Sequence, residues 1–197
     1  MKKMFMILIV LVVLAGCSSQ NNSGEVTEQN EPVKKAGDPI ISQANMGDYL
    51  IQIKTDSYEI VEESLSPYDG LYHGKFTIEI KKNEVVCDSY EISFDDESSL
   101  YFPKEFNLSF QDYNGDGKDD FALGQRLSSS AMEYQFYTID HNGKVQQMKV
   151  NQEKNKSIIT DGKEGYDAKF NMEKGKVVYQ EYNQEIGKSK TKRAEIL

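Results

Sequence analysis

Asp112, Asn114, Asp116 and Asp120 occupy the first, third, fifth and ninth places of the stretch Asp112-Tyr113-Asn114-Gly115-Asp116-Gly117-Lys118-Asp119-Asp120, with a glycine at the sixth. Side-chain oxygens at alternate positions around a point of sharp chain reversal suit a hard cation. Calcium takes roughly six to eight oxygens at about 2.3–2.6 Å, and a short loop supplies them from such side chains plus the carbonyl at the seventh place. The expected chemistry is structural Ca2+ binding by Asp112, Asn114, Asp116, the backbone carbonyl of Lys118, and Asp120. Asp119 falls off the ladder and reads as a solvated neighbour. Magnesium is disfavoured, because it keeps several waters where this ladder offers many protein oxygens.

A helix-loop-helix calcium site would need a bidentate acid at the twelfth place, which is the apolar Leu123. The flanks, Phe106 to Phe110 and Phe121 to Leu123, alternate as strands, so the arrangement is strand-loop-strand. With these residues the loop resembles the Asp-x-Asp/Asn-x-Asp-Gly-x-x-Asp calcium loops of FG-GAP and VCBS-like repeats. Those families carry several copies in a β-propeller, and here the loop occurs once. The resemblance therefore implies the loop and not a propeller, which needs about four blades or more. The chain is also similar to small bacterial lipoproteins and periplasmic proteins with one such loop between strands, some of which resemble lysozyme inhibitors.

Other chemistry-bearing residues are sparse. The two histidines, His73 and His141, sit in no catalytic motif, and both read as turn or strand-end residues. No glycine-rich phosphate loop, zinc spacing, Gly-x-Ser-x-Gly elbow or Ser-x-x-Lys is present in the sequence. Glu62-Glu63 and Asp95-Asp96 are adjacent acids, which on a strand point to opposite faces. Cys87, within Val85-Val86-Cys87, reads as a small packed hydrophobe. The expectation is that the chain is not an enzyme.

The amino terminus says where the chemistry takes place. Lys2 and Lys3 precede an apolar run from Met4 to Leu14 that ends in Leu14-Ala15-Gly16-Cys17. A positive start, a short apolar core and small residues before a cleavage point describe a signal peptide over 1–16. Leu14-Ala15-Gly16-Cys17 resembles the lipobox of bacterial lipoproteins, which implies cleavage between Gly16 and Cys17 and acylation of Cys17, with fatty acids such as palmitate. Two acyl chains give the stable anchoring that one does not, so the expected location is the extracytoplasmic face of the cell membrane. Residues 17–46, rich in Ser, Asn, Gln, Glu and Pro, read as a polar tether.

Removing 1–16 leaves 21 basic against 32 acidic residues, a formal charge of −11, which disfavours a nucleic-acid partner. The terminal run Lys188-Ser189-Lys190-Thr191-Lys192-Arg193 is locally basic and reads as a solvated edge strand, where lysines discourage aggregation.

Residues 47–197 must position the loop, and their dominant period is two. Phe76, Ile78 and Ile80 alternate strictly with polar neighbours; Tyr90, Ile92 and Phe94 repeat the pattern, as do Phe106, Leu108 and Phe110. Asn83 marks a turn. Asn142-Gly143 predicts a two-residue type I′ hairpin turn. Tyr166, Ala168 and Phe170 lead through Glu173-Lys174-Gly175-Lys176 to another strand pair. The expected fold is all-β, a single antiparallel domain of about nine strands, closed as a sandwich, a curled sheet or a small barrel. The expected function is a calcium-stabilised module that binds an envelope protein or wall polymer, the alternatives being an inhibitor of a cell-wall lytic enzyme or an envelope enzyme. Ser128 to Met132, beside Tyr134 to Tyr137, is the expected contact surface.

Overall fold

The computed structural model describes residues 35–36, 39–62, 66–94, 99–153, 156–183 and 186–197. The expected signal peptide, Gly16 and Cys17, and the acids Glu63 and Asp95-Asp96 lie outside these. Every regular element among the described residues is a strand. They number fourteen rather than about nine and form three antiparallel sheets, none closed into a barrel. The excess comes mostly from pieces of two or three residues, too short for alternation to register, together with one seven-residue strand, Ile40–Met46.

The first sheet contains β1 (Lys35–Ala36), β2 (Ile40–Met46), β3 (Tyr49–Ile60), β4 (Tyr72–Lys82), β5 (Val85–Glu91) and β6 (Leu100–Phe102). β3 pairs with β1, β2 and β4, and β4 pairs in turn with β5 and β6. The second sheet contains β7 (Phe110–Gln111), β8 (Asp120–Ser128), β9 (Ala131–Ile139), β10 (Val145–Gln147) and β11 (Ile158–Thr160), with β8 and β9 at its centre. β12 (Asn171–Glu173), β13 (Lys176–Asn183) and β14 (Lys188–Ala194) make the third.

These sheets are layered, with the second in the middle. Phe121, Leu123, Tyr137 and Ile139 pack in one core with Ile51, Ile53, Phe76, Ile78 and Ile80 of the first sheet. Ala122, Met132, Tyr134 and Phe136 face the other way, into a second core with Phe170, Val177, Ala194 and Ile196. Covered on both faces, β8 and β9 are buried along most of their length. This burial also corrects the expected contact surface: Tyr134, Phe136, Tyr137 and Met132 are wholly buried.

Four further expectations change. The tether does not extend to residue 46, because Ile40–Met46 is β2, paired with β3 from Met46↔Tyr49 to Ile40↔Lys54, and Ile41 is in the core. Phe106 and Leu108 lie outside any strand, and only Phe110–Gln111 pairs before the loop; the segment is held instead by Phe106 N–H donating to Ile41 O and by the Ser42 hydroxyl donating to Phe106 O. Tyr166 to Phe170 is likewise irregular, although Ala168 and Phe170 are buried.

The Asn142-Gly143 turn is not type I′, since only Gly143 has positive φ, at 78°. Gly143 N–H donates to Asp140 O, Asp140 N–H donates to Lys144 O, and Asp140 Oδ1 accepts the amides of Asn142 and Lys144. Captured by that carboxylate, the chain makes a three-residue connection ending in a left-handed glycine. The two-positive-φ turn sits at Lys174-Gly175, φ 52° and 73°, and another at Asn83-Glu84, where a turn was expected.

Candidate cation loop and neighbouring cleft

Phe110↔Phe121 and Gln111↔Asp120 are paired residues of β7 and β8, so residues 112–119 span adjacent antiparallel strands. The strand-loop-strand arrangement expected for the loop is thus present. Gly115 and Gly117 have φ of 80° and 84°, a region side chains other than glycine rarely adopt, and between them the chain reverses.

The loop's carboxylates turn inward onto its own amides. Asp112 Oδ1 accepts from Gly115 N at 2.6 Å and Asp116 N at 3.2 Å, and Asp112 Oδ2 accepts from Gly117 N at 2.9 Å. Asn114 Oδ1 accepts from Asp116 N, and Asp116 Oδ1 from Lys118 N, each at 2.9 Å. Asp116 Oδ2 faces Lys118 Nζ at 3.6 Å. Asp119 is exposed, as expected of a residue off the ladder.

Asp120 differs from the rest, because it is wholly buried. Its Oδ2 accepts the Tyr113 N–H at 3.0 Å, while Oδ1 makes no hydrogen bond of standard geometry. Burial raises the Asp120 pKa above the ordinary carboxylate value; the Thr138 hydroxyl and the Tyr113 amide counter this, and the Asp116 and Asp112 charges add to it. A cation among these carboxylates would reverse the last effect and give Oδ1 a partner.

The side-chain donors are all hard oxygens, and one of them is a buried orphan, so the residue set suits a hard divalent ion. No three His, Cys, Asp or Glu side chains among the described residues stand together at metal-holding distance. In this loop the carboxylates of Asp112 and Asp116 accept hydrogen bonds from backbone amides instead.

The remaining candidates fall elsewhere. His141 is exposed at its turn. Cys87 is half-buried, its thiol toward Val85 O. The basic segment Lys188–Arg193 lies on β14, an outer strand of the third sheet, and is exposed throughout.

A feature missed in the sequence lies where β4 and β6 approach the end of β8. A cleft of about 530 Å³ is lined there by Tyr68, His73, Ser99, Tyr101, Gln125 and Arg126. Its rings form one stack: Tyr101 lies 4.2 Å from Tyr68 and 4.4 Å from His73, the latter nearly parallel at 15°. His73 Nδ1 is 2.8 Å from Glu59 Oε1, and the Tyr68 hydroxyl donates to Leu127 O at 2.6 Å. Arg126 Nη1 donates to the carbonyls of Ser128 and Ser129, and its guanidinium lies 5.9 Å from the Tyr166 ring centroid. The only sequence signal was that Arg126 is one of two arginines in the chain.

No protein-family model, curated protein or solved structure matches this chain.

Proposed function

We propose that the protein is a lipid-anchored extracytoplasmic β domain, stiffened by a structural calcium ion at Asp112–Asp120, that works at the cell envelope by binding rather than by catalysis. The anchor reading rests on Leu14-Ala15-Gly16-Cys17 at the end of a short apolar run behind two lysines.

The observation that carries the calcium reading is Asp120. A carboxylate buried at the root of an acidic loop, with one oxygen lacking a hydrogen-bond partner, is costly unless a positive charge meets it. Calcium present at about a hundred times its Kd would stabilise the fold by about 2.7 kcal/mol. That is a sizeable share of the roughly 5–15 kcal/mol typical of a domain. Structural stiffening of this kind fits a small domain with one cysteine beyond the lipidated one and hence no internal disulfide.

The test is a melt of residues 31–197, a fragment that keeps β2, in calcium and in EDTA. Calcium is expected to raise the melting temperature by several degrees, as about 2–3 kcal/mol does for a domain of this size, and Asp116→Ala to abolish the difference. An unchanged wild-type melt would remove the ion from the reading. Cys17→Ser is expected to release the full chain into the soluble fraction, and an envelope pull-down with and without calcium would show what the domain holds.

A further inference from the structure

We propose that the cleft beside Arg126 binds a sugar bearing an oxyanion, either carboxylate or phosphate. This deepens the binding-module reading and rests on it, giving that reading a place on the molecule and a ligand chemistry.

Charge is the first argument. Arg193, the other arginine, is held by Glu173 through both Nε and Nη2, at 3.1 and 2.6 Å. Among the described residues no carboxylate pairs with Arg126, in a chain whose acids outnumber its bases by 32 to 23. An arginine fork matches carboxylate and phosphate geometry, and its bonds to them are stronger than those between neutral groups. Nη1 reaches the Ser128 and Ser129 carbonyls at 3.3 and 3.5 Å and the guanidinium lies beside the Tyr166 ring, which reduces the side-chain freedom left to lose on binding.

The wall is the second argument. Tyr68, Tyr101 and His73 line the cleft as a stack, with Tyr101 between the other two, so the C–H face of a sugar ring has the ring edges and the outer face of an end ring to pack against. Ser99 adds a polar group for ring hydroxyls, and Gln125 behind it is 2% exposed and fixed by its Nε2 bond to Glu133 at 3.0 Å. An aromatic wall, a few convergent polar groups and one charge, in a space of several hundred Å³, describe a small-molecule site. Oxyanion and ring together select a charged sugar over a free anion or a neutral sugar.

The experiment titrates the full chain, in detergent micelles, with glucuronate, glucose 6-phosphate and glucose by calorimetry. Saturable binding of at least one charged sugar is expected, with glucose weaker by about tenfold or more. Binding of only one of the two identifies the oxyanion as carboxylate or phosphate. Arg126→Gln should weaken the charged sugar by about ten- to a hundredfold, and Arg126→Lys, which keeps charge without the fork, by less.

The proposal is overturned if neither charged sugar binds, if glucose binds equally well, or if a folded Arg126→Gln protein keeps full affinity. Should that variant fail to fold, wild-type ring resonances decide: those of Tyr68, Tyr101 and His73 must shift on titration, and shifts confined elsewhere refute the site. Loss of the site with an envelope partner still captured in the pull-down separates this failure from that of the module.

Discussion

Asp120 holds two oxygens in unlike surroundings, and the difference yields a test at the scale of one residue. Oδ2 caps the Tyr113 amide, whereas Oδ1 is buried without a hydrogen bond. Because burial holds the folded pKa above the unfolded one, the folded state binds the extra proton between those two values. Calcium-free stability from this group is therefore greatest at acid pH and is lost as pH rises through that window. Asp120→Asn keeps an acceptor for Tyr113 and removes the charge. In EDTA at neutral pH the variant should be as stable as the wild type or more so, should lack this part of the acid slope, and should gain little from calcium. Paired denaturant titrations at pH 5 and pH 7 decide it, and equal destabilisation in EDTA and calcium would show that Asp120 serves only as a cap. The position itself was legible, since ligand spacing singles out Asp120. Its burial was not, because that depends on the Tyr113 ring entering a core that the local sequence does not reveal.

At the scale of elements, β8 and β9 meet where Gly124 opposes Tyr134. A Cβ on Gly124 would lie 2.3 Å from the Tyr134 ring, which is held in place by its hydroxyl bond to Gly165 O at 2.6 Å. Replacing a strand glycine with alanine ordinarily helps by about 0.5–1 kcal/mol, but overpacking here should outweigh that and leave Gly124→Ala less stable by about 1–3 kcal/mol. Chemical denaturation measures it, and a neutral or stabilising result would mean that the ring has room to move. The strands that face one core were readable from period-two alternation, as Phe76, Ile78 and Ile80 are all fully buried. The second buried face of β8 and β9 was missed because alternation cannot say whether that face meets water or another layer. Gln125, Glu133 and Gln135 are buried polar residues that satisfy one another and their neighbours: Gln125 donates to Glu133, Ser157 bonds the same carboxylate, and the Tyr137 hydroxyl donates to Gln135. β2 escaped notice because Ile40 to Met46 lacks a strict period of two and gains its order from pairing with β3.

At the scale of the molecule, the acidic loop 112–120 and the third sheet meet at the Tyr113 side chain. Tyr113 lies between two of the loop's ligand positions, yet its ring is wholly buried in the second core, edge-on to Phe136 at 5.0 Å and to Phe170 at 6.3 Å. Phe170 immediately precedes β12, and the same core contains Val177 of β13 and Ala194 of β14. Burial is the main cause that pushes the Tyr113 phenol up to about 12, so the ring enters this core uncharged at every physiological pH. An ion that fixes Asp112, Asn114 and Asp116 therefore also fixes the residue against which the third sheet packs. Local opening is favoured where few apolar contacts hold an element, and β14 is exposed along its length except at Ala194. Calcium is thus expected to slow amide hydrogen exchange in β12–β14 as well as in residues 112–120. Tyr113→Leu keeps an apolar side chain but loses both ring contacts; calcium should still protect the loop in that variant while β12–β14 no longer respond. If calcium leaves exchange in β12–β14 unchanged in the wild type, the loop is a local clip and the third sheet is stabilised independently of it.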